Sequence, residues 1–337
     1  MSFLASVYLI YLAENKTPVE EILSVTGLQK HFEKRGLFRA KEVVRAVDGV
    51  SFSVGKGKTL VLAGESGSGK TTIARLILGG IEPDGGQIFF DGFKIGTDKA
   101  SLDRIRRECQ MIHQDPYASI DPRMRIIDIV TEPLEVHGIG DSKKRREIAS
   151  EALRDVKLDP AEIFDKYPHM LSGGQRQRVV IARSIATKPK LIIADEPVSM
   201  LDVSVRVGIL ELMRELQEKH GISFLYITHD LSTARYVGNS IAIMYLGKIV
   251  ETGPIEEVLL HPMHPYTMAL VESISEPNPD NLNREKKMKI NAPLEVNPYE
   301  GCRFRPRCPY AIEKCSQEPP LERAGQDRSV ACFVRPD

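Results

Sequence analysis

Four short stretches of this chain hold residue types whose spacing could do chemistry. The first is GESGSGKT, Gly64 to Thr71, with the spacing G-x-x-x-x-G-K-[ST]. Gly64, Gly67 and Gly69, with Glu65, Ser66 and Ser68 between them, let a backbone wrap closely round a phosphate, so that successive N–H groups converge on the anion. A helix starting near Lys70 adds the positive end of its dipole. In such a loop Lys70 reaches the β- and γ-phosphates and the Thr71 hydroxyl binds Mg²⁺, with Thr72 beside it. The second stretch, LIIADEP (Leu191–Pro197), is an apolar strand ending in two acids. Asp195 at the strand end is placed to hold Mg²⁺, and Glu196, one residue on, to act as general base toward water. ATP and Mg²⁺ are the expected ligands.

The third stretch, LSGGQRQRVVIARSI (Leu171–Ile185), makes a second helix start suited to phosphate, with Ser172, Gly173 and Gly174 offering open N–H groups. Its opening run, Leu171 to Gln175, resembles the signature of the ABC ATPases. The resemblance implies that two cassettes pair head to tail, each ATP lying between one phosphate loop and the other cassette's signature. It extends to Gln114 in MIHQDPYASIDP as the glutamine that senses Mg²⁺ and the attacking water, and to His229 in YITHD as the switch histidine near the γ-phosphate. VSMLD, ending at Asp202, resembles the D-loop, with Met200 a mild departure, and Phe32 in LQKHF aligns with the aromatic that stacks on adenine, Phe38 and Phe52 being the alternatives. On this resemblance Lys70, Gln114, Glu196 and His229 carry catalysis.

HQDPYASIDPRM, EPVSMLDVSV and HPMHPYTMAL are similar to the ATPases of oligopeptide and dipeptide importers, and the phrase PYAS to their F-type subunit. That likeness implies a second ATPase subunit, two membrane permeases and, indirectly, an extracytoplasmic binding protein, with oligosaccharide uptake as the alternative cargo. A non-transport ABC ATPase acting on nucleic acid is a further reading. The 46 basic and 46 acidic residues cancel, so no global field attracts a polyanion.

These motifs need a scaffold. GVSFSV alternates apolar and polar residues as a half-buried strand does, whereas KTLVLAG is a continuous apolar run suited to a buried parallel strand. Residues 120–187 read as mostly helical. KLIIAD, VRVGILELMRELQEKH and SFLYITHD then alternate strand, helix and strand, the mark of βαβ units. SIAIMYLGKIVETG reads as a hairpin turned at Leu246–Lys248, and KKRR (Lys143–Arg146) as a solvated helix face. The expected class is α/β, a P-loop NTPase of the ABC nucleotide-binding kind: a RecA-like core, an antiparallel β subdomain and a helical subdomain at about 115–187. The expected division is an N-terminal extension (1–18), the ATPase (19–265) and a C-terminal region (266–337). HPMHPYT and the proline- and asparagine-rich residues after it read as a linker. The apolar run Phe3–Ala13 is shorter than the ~18 residues that span a bilayer and lacks a basic lead-in. The expected place is therefore the cytoplasm, peripheral on the inner face of the cell membrane.

The fourth stretch is the tail. Four of the chain's five cysteines, Cys302, Cys308, Cys315 and Cys332, fall in its last 36 residues. Cytoplasmic thiols stay reduced, so a disulfide frame is not expected. Spacings of five and six residues are wide for zinc and match neither familiar ferredoxin run. Zinc, an iron–sulfur cluster and four metal-free buried thiols all stay open on spacing alone. The importer resemblance favours a [4Fe–4S] cluster, a staple for a tail too small for its own core. Arg303, Arg305 and Arg307 would offset cluster charge or stand in solvent.

Overall fold

A computed structural model describes residues 20–34, 42–273 and 299–336. The apolar run Phe3–Ala13 and most of the basic loop before Glu42 lie outside them. Two long strands, β1 (Glu21–Lys34) and β2 (Glu42–Gly55), pair antiparallel. β3 (Thr59–Ala63) is buried at every residue, as a strand covered on both faces must be. It feeds the phosphate loop and α1 (Lys70–Ile77). β4 (Gly85–Phe90) and β5 (Phe93–Lys94) complete a four-stranded antiparallel sheet in the order β2-β1-β4-β5. α2 (Lys99–Glu108), capped by Asp98, leads into β6 (Cys109–Ile112).

A helical layer follows: α3 (Ile126–Val136), α4 (Ser142–Asp155), α5 (Pro160–Ile163) and α6 (Gly173–Ile185). Asp141, Asp159 and Ser172 cap α4, α5 and α6, each accepting an N–H that would otherwise lack a partner. KKRR lies on α4; Lys144 and Arg145 pair with Glu147 and Glu135, and Arg146 stacks over Phe164. The chain then returns to the sheet through β7 (Leu191–Asp195), α7 (Val203–His220), β8 (Ser223–Thr228), α8 (Leu231–Val237), β9 (Ser240–Tyr245) and β10 (Lys248–Pro254). The β9–β10 hairpin turns on Leu246 and Gly247, both at positive φ, and Lys248 already pairs with Tyr245. The turn is thus one residue tighter than the sequence suggested.

HPMHPYT is not a linker. After α9 (Ile255–Leu260), His264 caps α10 (Pro265–Glu272), and His264, Pro265, Tyr266 and Thr267 are all buried. Prolines and histidines read as loop residues in isolation. Here the Glu251 carboxylate accepts the N–H groups of Met263 and His264 and draws the segment in.

Nor does the tail stand on its own. Its hairpin, β11 (Glu322–Arg323) and β12 (Ser329–Val330), joins the main sheet when β12 pairs with β10. The eight-stranded order is β11-β12-β10-β9-β3-β8-β7-β6, parallel from β9 to β6. β3 shows how the sheet divides two cores. Val61 and Ala63 face one core with the helical layer, Phe304 and Cys308. Leu60 and Leu62 face the other with Leu23, Val25 and Phe90 of the antiparallel sheet. The tail thus shares the cassette's core.

Candidate nucleotide site

The phosphate loop is shaped by close approach. Gly69 sits at φ 108°, and a Cβ there would lie 2.0 Å from the Ala46 carbonyl oxygen. No other residue fits without moving that strand. Lys70 is buried, and its Nζ donates to the carbonyls of Gly64 and Glu65, both at 2.8 Å. Burial lowers the Lys70 pKa, opposed by the charges of Glu196, Asp195 and Glu65. Ser68 is buried beside it, while Ser66, Gly67 and Thr71 are exposed at the mouth.

The two acids meet this loop from β7. The Thr71 hydroxyl donates to Asp195 Oδ2 at 2.9 Å, joining the two side chains expected to hold Mg²⁺. Asp195 is buried, and that desolvation raises its pKa despite the Thr71 hydrogen bond. Glu196 leaves the strand at φ 47°, an uncommon conformation for a side-chain-bearing residue and one that collects at functional sites. The twist aims its carboxylate at two partners. Gln114 Nε2 donates to Oε2 at 3.1 Å, and His229 Nδ1 lies 2.8 Å from Oε1. Gln114, Glu196 and His229, from three separate segments, therefore form one contact group.

The signature run starts α6, and the Ser172 N–H, expected to be open, is already partnered within it. Ser172 Oγ accepts from the Gln175 N–H while Gln175 Oε1 accepts from the Ser172 N–H, closing a capping box. Leu171 is buried, and Gly173 and Gly174 pack against Leu201 and Val205. Asp202 caps α7 without a side-chain bond, and Arg206 ties the turn before it by donating to the Leu201 carbonyl. Phe32 is 40% exposed near the end of β1, with Lys30 Nζ over its ring at 5.8 Å from the centroid.

Sequence reasoning missed the hands that hold the loop from behind. Tyr266 accepts the Glu65 N–H at 2.8 Å, and Arg307 grips the Glu65 carboxylate with two nitrogens, at 3.0 and 3.2 Å. Arg303 is buried and bonds Asp48 and the Leu246 carbonyl. Of the three tail arginines, Arg303 and Arg307 serve acids of the cassette, not a cluster. Nothing local signalled this, because the partners lie hundreds of residues away.

The sequence matches the ABC transporter family over residues 47–199. It matches the oligopeptide/dipeptide transporter C-terminal region over residues 250–315. A probable peptide ABC transporter ATP-binding protein of Sinorhizobium fredii (strain NBRC 101917 / NGR234) is 45% identical over 320 residues, 94% of this chain and 90% of that protein. The chain belongs to the ABC transporter family. This ABC ATPase is also 42% identical to a dipeptide transport ATP-binding protein of Haemophilus influenzae, over 93% of this chain and 96% of that one. A solved dimeric ATP-binding cassette bound to ADP and phosphate aligns with TM-score 0.60 and 29% identity, covering 69% of the ABC ATPase and 98% of that chain. The fold is the ABC nucleotide-binding cassette, and its activity is ATP hydrolysis.

Proposed function

We propose that this ABC ATPase is the motor subunit of a peptide importer on the cytoplasmic face of the membrane. The observation that carries this is the convergence of Thr71–Asp195 and Gln114–Glu196–His229 on one phosphate loop. The peptide cargo is supported by the match at the C-terminal region and by relatives named for peptide transport. No described helix is long and apolar enough to cross a membrane, so permeases would supply the pore. Two ATPase subunits would pair head to tail, each signature closing over the other's phosphate loop. We divide the chain at about 1–18, 19–265 and 266–337, with a helical subdomain at about 115–187.

In the proposed reaction the loop N–H groups and Lys70 hold the β- and γ-phosphates, and Phe32 stacks on the base. Thr71, Asp195 and Gln114 would hold Mg²⁺, which when bound offsets phosphate charge. Glu196 accepts a proton as water attacks the γ-phosphorus; the bond to the bridging oxygen breaks and ADP carries that electron pair away. Gln114 and His229 keep the carboxylate aimed. Lys70→Ala removes charge-assisted bonds and is expected to weaken ATP binding by about one to two orders of magnitude. An equilibrium titration with a fluorescent ATP analogue reads this, and unchanged affinity would sink the loop assignment.

The tail cysteines have their own chemistry. Cys302, Cys308, Cys315 and Cys332 line one small cavity with Phe304, Pro319 and Phe333. Gly301 lets them meet: a Cβ there would lie 2.5 Å from the Cys315 carbonyl, which accepts the Cys302 N–H. Burial raises the pKa of Cys302 and pushes that of Cys308 up to about 11. Among the described residues no three His, Cys, Asp or Glu side chains gather tightly enough for a single ion. The likeness of the tail to importer ATPases alone, and no feature of this cavity, favours [4Fe–4S] over zinc as the group these cysteines would hold. When bound it would cross-link the tail. Protein purified without oxygen is expected to carry about four irons and four sulfides per chain. Cys308→Ser is expected to lose them. One zinc, or no metal, would overturn this reading and leave the ATPase intact.

A further inference from the structure

We propose that Arg307 is a positioning residue for the phosphate loop, acting through Glu65. The two side chains meet by a double hydrogen bond, Nη1 to Oε2 at 3.0 Å and Nη2 to Oε1 at 3.2 Å. This is the planar fork that fixes orientation as well as distance, which a single ammonium cannot do. The backbone of the same residue is held separately, since the Glu65 N–H donates to the Tyr266 hydroxyl at 2.8 Å. The Glu65 carbonyl in turn accepts from Lys70 Nζ. One residue of the loop is therefore gripped by its side chain, its N–H and its carbonyl. Two of these three grips come from beyond the catalytic segments.

The anchors are themselves fixed. Tyr266 is 1% exposed and packs on Tyr245 at 4.5 Å and on Phe304 at 5.5 Å between ring centres. Phe304 meets Tyr245 edge-on at 5.3 Å. The Arg307 guanidinium lies over the Phe304 and Tyr245 rings, and its Nη1 also bonds the Tyr245 hydroxyl at 3.4 Å. A rigid aromatic block thus carries both groups that reach Glu65. Glu65 stands next to Gly64 in a loop whose N–H groups must point inward before phosphate arrives. Holding it in advance lowers the ordering that binding would otherwise require. Because the pair is only half-buried, its contribution is modest and falls on loop position more than on global stability.

The test uses the full chain and rests on the ATPase assignment. Arg307→Gln is expected to raise the Kd of a non-hydrolysable ATP analogue about three- to fivefold, the range of a half-exposed ion pair. KM should rise by the same factor while kcat at saturation stays within about twofold, the pattern of lost uniform binding. Glu65→Gln should give a similar Kd, and the double variant should be no worse than either single one. Arg307→Lys keeps charge but not the fork, and should fall between wild type and Arg307→Gln. That variant serves if Arg307→Gln fails to fold. An unchanged Kd in Arg307→Gln, or additive effects in the double variant, would overturn the proposal. Lys70→Ala in the same titration separates the two claims. If it too binds normally, the phosphate-loop reading fails. If it alone loses binding, only the tail's role does.

Discussion

Glu196→Gln is expected to cut ATP turnover by about 10²–10³-fold while leaving ATP binding intact. The amide has the size of the carboxylate and can keep hydrogen bonds to Gln114 and His229, so the site keeps its shape. What it cannot do is accept a proton from the attacking water. General bases contribute about 10²–10⁴ to rate, and retained positioning by the loop places the loss inside that span. Since the two-subunit closed state would be held together by unhydrolysed ATP, the variant should also elute as an ATP-dependent pair on gel filtration. Single-turnover hydrolysis beside an equilibrium titration is the decisive measurement. Turnover at the wild-type rate would remove Glu196 from the role of base. A lost affinity would instead mean that the φ 47° backbone there had relaxed and taken Asp195 with it.

The second large effect is on stability. Glu251 is wholly buried on β10, and its carboxylate accepts from Arg328 Nη2 at 2.6 Å. Arg328 also donates to the His261 carbonyl. Arg328→Leu leaves a buried charge without its counterion and is expected to cost about 3 kcal/mol. That is the low end for a broken buried pair, because the N–H groups of Met263 and His264 still reach the carboxylate. For a chain this long, unfolding entropy converts the loss to roughly 4 °C in Tm. Adding Glu251→Gln should restore most of it, since neither charge is then stranded. A Tm for Arg328→Leu within about 1 °C of wild type would mean that the Arg328–Glu251 pair contributes little to stability.

The site was legible in the sequence because its chemistry is local. A phosphate loop, an acid pair after a buried strand and a helix-opening signature each need adjacent residues, so each leaves a contiguous mark. The βαβ alternation was equally plain, since buried and amphipathic segments differ in period. The packing of the C-terminal region escaped for the opposite reason, although its resemblance to the importer tail was legible. Arg307–Glu65, Arg303–Asp48 and Arg328–Glu251 are charge pairs set by tertiary packing, and no spacing rule links them. HPMHPYT was read as a linker because proline weakens any period, although His264, Pro265, Tyr266 and Thr267 are buried. The tail's two-residue strands are too short to alternate, so their place in the main sheet left no pattern to see.

That place has a consequence for how the protein is made. β10 ends at Pro254, but β12, which covers its edge, ends at Val330. Chains emerge at about 5–20 residues per second, so β12 arrives roughly 4–15 s after β10. During that interval β10 presents an open ladder edge to any neighbouring nascent chain. Arg307, the loop's distant anchor, emerges late in the same window. Synthesis therefore finishes the catalytic motifs well before the strand and the arginine that steady them.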